Sequence, residues 1–178
     1  PPETRDRPEE GHHLRLGAVR QHGRANLTMK QHKWEKKTLH GTELYGKTLG
    51  LIGAGRIGLA LADRAIAFGM SVLAFDVVPL QTKLAVTQVP LDELLAKADV
   101  FSLHVPKTKA PILGPAEFAK MKDGVVIVNA ARGGVIDEAA LLAALQSGKV
   151  KAAAIDVFAK EPPEDWALID HPNVTASP

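Results

Sequence analysis

Cysteine is absent from all 178 residues. That removes disulfide frameworks, thiolate nucleophiles, iron–sulfur clusters and cysteine zinc sites, and no metal site of another kind is expected. A reducing compartment suits such a chain, and a cytoplasmic location is the expectation. Long apolar runs are missing too: nothing approaches the ~18–20 uninterrupted apolar residues of a bilayer span. Residues 1–10 are polar rather than a basic stub leading into an apolar segment, so neither a membrane span nor a secretory signal is expected. Without a signal, the Asn-x-Ser/Thr sequons at Asn26 and Asn173 read as chance. Aromatic residues are scarce at 4%.

Charge is abundant but unevenly placed. The formal net charge of +2 conceals nine Lys/Arg against five Asp/Glu in residues 1–40, and 13 against 15 in the remainder. A basic arm invites a nucleic-acid reading. This one holds a single aromatic, Trp34, and no recognisable binding module, so a solvated face is expected and no nucleic-acid partner. Hydrophobic residues make up 46% of the 19.0 kDa chain, which is enough for one packed core.

Residues 1–24 are rich in Pro, Arg, Glu, Gly and His and show no sustained period of 2 or 3.6, so they are expected to be a disordered or non-native arm. The organised domain is then 25–178, with helix-compatible residues over 25–37. From residue 48 onward, short apolar runs alternate with amphipathic stretches. Strands are predicted at 48–52, 71–75, 100–105, 125–129 and 152–157, and helices at 57–69, 91–97, 115–121 and 138–146. In the helix at 57–69, Ile57, Leu61, Ala65 and Phe68 share a face, and Gly69 stands where a terminating glycine belongs. Strands apolar on both sides and separated by helices call for an α/β fold, a doubly wound parallel sheet in a single nucleotide-binding domain of the Rossmann type.

Two glycine motifs compete for a nucleotide. Gly41 to Thr48 satisfies G-x-x-x-x-G-K-[ST], with Lys47 as the phosphate lysine. A P-loop must follow a strand and open a helix. This segment follows charged residues and leads into a strand, so it reads as a connecting loop. The second motif is Gly-Ala-Gly-Arg-Ile-Gly, from Gly53 through Gly55, Arg56 and Ile57 to Gly58. By composition alone such a pattern arises in about one chain of this kind in ten, but its context is right: it follows a strand and opens a helix. Gly53 would make the tight turn, Gly55 would admit a pyrophosphate, and Gly58 would let helix and strand pack closely. Asp76, 23 residues after Gly53, ends the second predicted strand, where a carboxylate accepts hydrogen bonds from the adenosine ribose. Read alone, Asp76 could simply begin a turn, but the order strand, glycines, helix, strand and acid is that of a dinucleotide site. A 2′-phosphate would be repelled by Asp76, so NAD is expected over NADP.

Several further motifs occur in order: Lys33-Trp-Glu-Lys, Gly41-Thr-Glu-Leu, Gly46-Lys-Thr-Leu-Gly50, Asn129-Ala-Ala-Arg-Gly-Gly134, Asp137-Glu-Ala-Ala-Leu141, and Ala154-Ile-Asp-Val-Phe158 running into Glu161-Pro-Pro163. Together with the glycine fingerprint, they make residues from about 25 to the end resemble the nucleotide-binding domain of the D-2-hydroxyacid dehydrogenases. The resemblance implies that Arg132 binds the substrate carboxylate and keto oxygen, a role suited to a bidentate guanidinium. It also implies that Glu161 orients a catalytic histidine. Asp156 would lie near the nicotinamide carboxamide, Ala130 and Ala131 would line the cofactor with backbone, and His104 and Val105 would underlie the nicotinamide ring. Val105 stands where closely related members carry Thr or Ser. The family's acid/base histidine follows a segment like Thr175-Ala-Ser-Pro178, where this sequence stops, so the chain is expected to lack the proton acceptor and the substrate domain.

The implied activity is hydride transfer between NAD and a D-2-hydroxyacid, with 3-phosphoglycerate going to 3-phosphohydroxypyruvate as the first candidate, a step of serine biosynthesis. Glycerate and hydroxypyruvate are alternative substrates. A non-enzymatic, NAD-dependent corepressor-like module is the alternative of a different class. A homodimer formed through the nucleotide-binding domain is the expected assembly, with a small-molecule 2-hydroxyacid as ligand.

Overall fold

The computed structural model describes residues 22–39 and 41–178. Its elements run α1 (His22–Lys30), β1 (Thr48–Ile52), α2 (Arg56–Ala67), β2 (Ser71–Phe75), β3 (Val86–Gln88), α3 (Leu91–Lys97), β4 (Val100–Leu103), α4 (Pro115–Lys120), β5 (Val125–Asn129), α5 (Glu138–Gln146), β6 (Val150–Ile155) and β7 (Val174–Ala176). The strands form a seven-stranded sheet in the order β3-β2-β1-β4-β5-β6-β7, every pair parallel. The order reverses between β1 and β4, and an open parallel sheet has its ligand crevice at such a reversal.

Alternation along the strands feeds two cores. Ile52, Phe101, Leu103 and Ile127 pack with Leu94, Leu95, Phe118, Leu141 and Leu145 from α3, α4 and α5. On the other face, Leu49, Leu51, Val72, Val100 and Val126 pack with Leu61, Ala62 and Ala65 of α2. Both faces of the sheet are therefore covered, which is why β5 reads as five buried residues in succession. This is the doubly wound arrangement that the apolar runs imply.

The structure moves several boundaries. Strand β4 ends at Leu103 and not at residue 105, and β6 begins at Val150 and ends at Ile155, because pairing stops where the chain peels away into loops. Helix α2 buries Gly58, Leu61, Ala62 and Ala65, while Phe68, expected on the buried face, lies past the last helical residue and is 46% exposed. Gly69 does close this helix: its amide bonds the Ile66 carbonyl and that of Met70 bonds Ala65, the paired bonds of a Schellman ending. Strands β3 and β7, three residues each, have no counterpart in the sequence reading. Helix α1 starts at His22, so it crosses the boundary expected at residue 25. The arm expected over 1–24 otherwise lies outside the described residues. Among the described residues no helix is long and apolar enough to cross a membrane.

Asp99 ties three strands together at the amino-terminal edge of the sheet. Its backbone N–H donates to the Thr48 carbonyl, its carbonyl accepts from Val126, and its carboxylate accepts from the Thr48 amide at 2.8 Å and from Lys122 at 2.9 Å. Burial alone would raise the Asp99 pKa. The Thr48 amide and the Lys122 ammonium, with Lys47 further off, outweigh it and hold the carboxyl below its ordinary value. A depressed folded-state pKa contributes stability above the unfolded-state value that is lost as pH falls through the folded one. Asp99→Ala should therefore cost about 2 kcal/mol at neutral pH. In urea titrations the gap to the parent chain should hold down to about pH 4 and close below it. A gap that persists unchanged into stronger acid would contradict this role for Asp99.

Candidate functional site

Strand register sets out the site. Phe75, Ile52, Leu103, Asn129, Ile155 and Ala176 pair across six strands in one row. The ladder continues one residue further: Gly53 N–H bonds the Phe75 carbonyl, His104 N–H bonds Ile52, Asp156 N–H bonds Asn129 and Ser177 N–H bonds Ile155, at 2.8 to 3.1 Å. Asp76, Gly53, His104, Ala130, Asp156 and Ser177 consequently stand side by side at the carboxyl edge. At about 4.8 Å per strand, the row spans roughly 24 Å. Residues scattered over the sequence reach one edge because all the strands are parallel and end level.

At the centre, between β1 and β4, Gly53 has φ of +92°. A Cβ there would stand 2.5 Å from the His104 carbonyl oxygen, so only glycine allows β1 to turn against the end of β4. Val105 also touches this turn. A Cβ on Gly58 would meet the Gly53 carbonyl oxygen at 2.5 Å, whereas space above Gly55 is open. Helix α2 then begins at Arg56 with no side-chain cap and no acid in its first turn, and Ile57 follows. Uncapped amides beside open space form a cradle into which an anion fits, with the positive end of the helix behind it. These residues suit a pyrophosphate.

Toward β2, one Asp76 carboxylate oxygen accepts from the Ala54 amide at 2.7 Å and the other from Val78 at 3.2 Å. Each oxygen keeps acceptor capacity for ribose hydroxyls. The Walker-like segment has no such setting: residues 41–47 run as loop and turn into β1, and Lys47 sits at the opposite edge of the sheet, close enough to Asp99 to act on its charge.

Toward β6, Asn129 ends β5 nearly buried, its side chain accepting from the Ala131 amide and donating to the Arg132 carbonyl, both at 3.1 Å. The loop thus presents Arg132, exposed, beyond a half-buried Ala130 and a buried Ala131. The Asp156 carboxylate contacts the Ser177 hydroxyl. Glu161 accepts from the Phe158 amide at 3.0 Å, and Glu138 of α5 accepts from Ala159 at 2.7 Å. Asp156, Phe158, Glu161, Trp166 and Ser177 line a cleft of about 490 Å³. The structure thus brings Asp156 and Glu161 to one cleft, and leaves Arg132 on the adjoining loop.

The histidines divide by position. The His104 ring bonds the hydroxyl of buried Ser102 at 2.9 Å. His171 accepts from the Asn173 amide just ahead of β7. His12, His13 and His40 lie outside the described residues.

Asn129, Ser102, Ser177 and Gln88 had no role in the sequence reading. A polar residue inside or ending an apolar strand is the signal for Asn129 and Ser102. Ser177 and Gln88 sit on or beside three-residue strands and carry no such signal.

Parallel sheet, anion cradle and strand-end carboxylate define a dinucleotide-binding domain. Residues 13–178 match the family model of the D-isomer specific 2-hydroxyacid dehydrogenase, NAD binding domain. The chain belongs to that family. It is 51% identical over 170 residues to a hydroxypyruvate reductase of Thermotoga maritima, covering 93% of this chain and 56% of that protein. It is 49% identical over 173 residues to a D-3-phosphoglycerate dehydrogenase of Archaeoglobus fulgidus, covering 93% of this chain and 32% of that protein. The crystal structure of a glyoxylate reductase from Paecilomyes thermophila superposes with a TM-score of 0.91 at 41% identity, over 97% of this chain and 54% of that one. The chain therefore spans about half, or less, of the length of these relatives.

Gly133 is where the Arg132 loop meets the Glu161 loop. A Cβ there would lie 1.7 Å from the Phe158 carbonyl oxygen, closer than any contact permits, and backbone cannot swing aside as a side chain does. Gly133→Ala should force the loops apart at a cost of about 3 kcal/mol, lowering the melting temperature by roughly 10 °C. Differential scanning calorimetry checks this, and an unchanged melting temperature would show that the two loops do not press on each other.

Proposed function

We propose that this chain is the cofactor-binding part of an enzyme that passes hydride between NAD and a D-2-hydroxyacid, with 3-phosphoglycerate as first candidate substrate. The level row from Asp76 through Gly53 to Asp156 carries the reading, because it offers a ribose acceptor, an anion cradle and a polar far end in the order a dinucleotide requires. Hydroxypyruvate or glycerate is the second reading, favoured by the 51% identity to a hydroxypyruvate reductase.

When bound, NAD would supply the acceptor for the hydride leaving substrate C2. Arg132 holds the substrate carboxylate through paired N–H bonds. The C2 hydroxyl loses its proton to a histidine as the carbonyl forms, and Glu161, fixed by the Phe158 amide, orients that histidine. Asp156 would receive the nicotinamide carboxamide, Ala130 and Ala131 would supply backbone along the cofactor, and His104 and Val105 would form its floor. Among the described residues, this reading assigns none to the place of that histidine. Near α1, Leu27, Met29 and Trp34 are exposed at 56%, 54% and 78%. In this reading a second copy of the chain is the partner that would cover these side chains. The reading needs neither nucleic acid nor membrane, and it places the enzyme in the cytoplasm.

Calorimetric titration should give tighter binding of NADH than of NADPH, and Asp76→Ser should abolish the preference. Equal affinity in the parent chain would remove Asp76 from the role. Polypeptide 1–178, loaded with NAD and offered 3-phosphoglycerate, should turn over at least about 10²- to 10⁴-fold more slowly than a version carrying a substrate domain and a histidine after Pro178. Comparable turnover would show that a group within 1–178, His104 first, serves as the base.

A further inference from the structure

Gln88 ends β3, the short edge strand, and pairs with Ala74 two residues before Asp76. Its side chain reaches across to the loop that follows β2. The amide nitrogen donates to the Asp76 carbonyl at 3.2 Å and to the Val78 carbonyl at 2.9 Å, and the amide oxygen accepts from the Leu80 N–H at 2.8 Å. Two carbonyls need donors and one N–H needs an acceptor, so both ends of a primary amide are required, and Gln supplies the pair from one side chain. Apolar anchoring of the loop falls to its last residue, Leu80, which packs on the core beside α2, while Val77 and Val78 are 89% and 60% exposed. Beside Gln88, the Asp76 carboxylate bonds the amides of Ala54 and Val78.

We propose that Gln88 is a positioning residue for cofactor choice, which staples loop 76–80 so that the Asp76 carboxylate stays where a 2′-phosphate would have to sit. This rests on the NAD reading above. The discrimination is a difference of affinities. A fixed carboxylate gains two hydroxyl donors from a free ribose and meets like charge from a 2′-phosphate, whereas a carboxylate free to swing loses the first and escapes the second. A loosened loop should therefore weaken NADH and spare NADPH. Gln88 need not touch either cofactor.

The test is the ratio of dissociation constants for NADH and NADPH, measured by titration on the full 178-residue chain. Gln88→Met keeps the length and removes all three bonds. It should lower the preference for NADH by at least about fivefold, the scale of one or two lost hydrogen bonds. Gln88→Glu keeps an acceptor for Leu80 but sets a carboxylate against two carbonyls; it should also lower the ratio, and it serves if the methionine variant fails to fold. In an Asp76→Ser background Gln88→Met should change the ratio no further, because Gln88 acts through Asp76. A ratio within twofold of the parent, or equal weakening of both cofactors, overturns the proposal while leaving the NAD reading intact. A parent chain that binds neither cofactor overturns both.

Discussion

The site depends on one constraint, the parallel register that brings six strands to a common level at the carboxyl edge. Side chains alternate with a period of two, so a slip of one residue in any pairing would carry a site residue out of the row and exchange its buried and outward faces. Burial of both faces resists such a slip. Leu51 and Ile52 feed different cores, and neither tolerates exchange. The hydrophobic pattern that folds the domain is thus also what places Asp76, Gly53 and Asp156 side by side.

Around that row, polar groups are engaged before any ligand arrives. Asn129 bonds its own loop, Glu161 accepts from Phe158, and Asp76 accepts from Ala54 and Val78. Each such bond reduces the ordering that binding would otherwise have to supply, which is the physical content of preorganisation. Glycine supplies the complement. At Gly53 and Gly133 the missing Cβ lets backbone approach backbone, so that separate loops share one wall.

Much of this is legible in the chain. The runs at β1, β2 and β5 are apolar throughout or nearly so, and their bounds are those read from the sequence; β1 and β5, buried on both faces, leave the plainest pattern, while in β2 only alternate residues are fully buried. The place of Asp76 at the end of β2 is legible as well, since its distance from Gly53 is set by one helix and one strand. Strands β3 and β7 are not: Val86–Gln88 is a three-residue edge strand that is mostly exposed, and its polar residues read as loop. With β3 hidden, Gln88 was hidden too, for its contribution is a reach across space that no periodicity encodes. Phe68 misled in the opposite direction, continuing a helical spacing beyond the point where the helix stops.

The central claim, that the glycine turn and Asp76 form the cofactor site, is tested most directly by amide hydrogen exchange of the 178-residue chain with and without saturating NADH. The account predicts new protection concentrated at residues 53–59, 76–80 and 104–105, with residues 41–48 unchanged. Protection of 41–48 instead, or no change around Gly53 to Gly58 while NADH is bound, would contradict it.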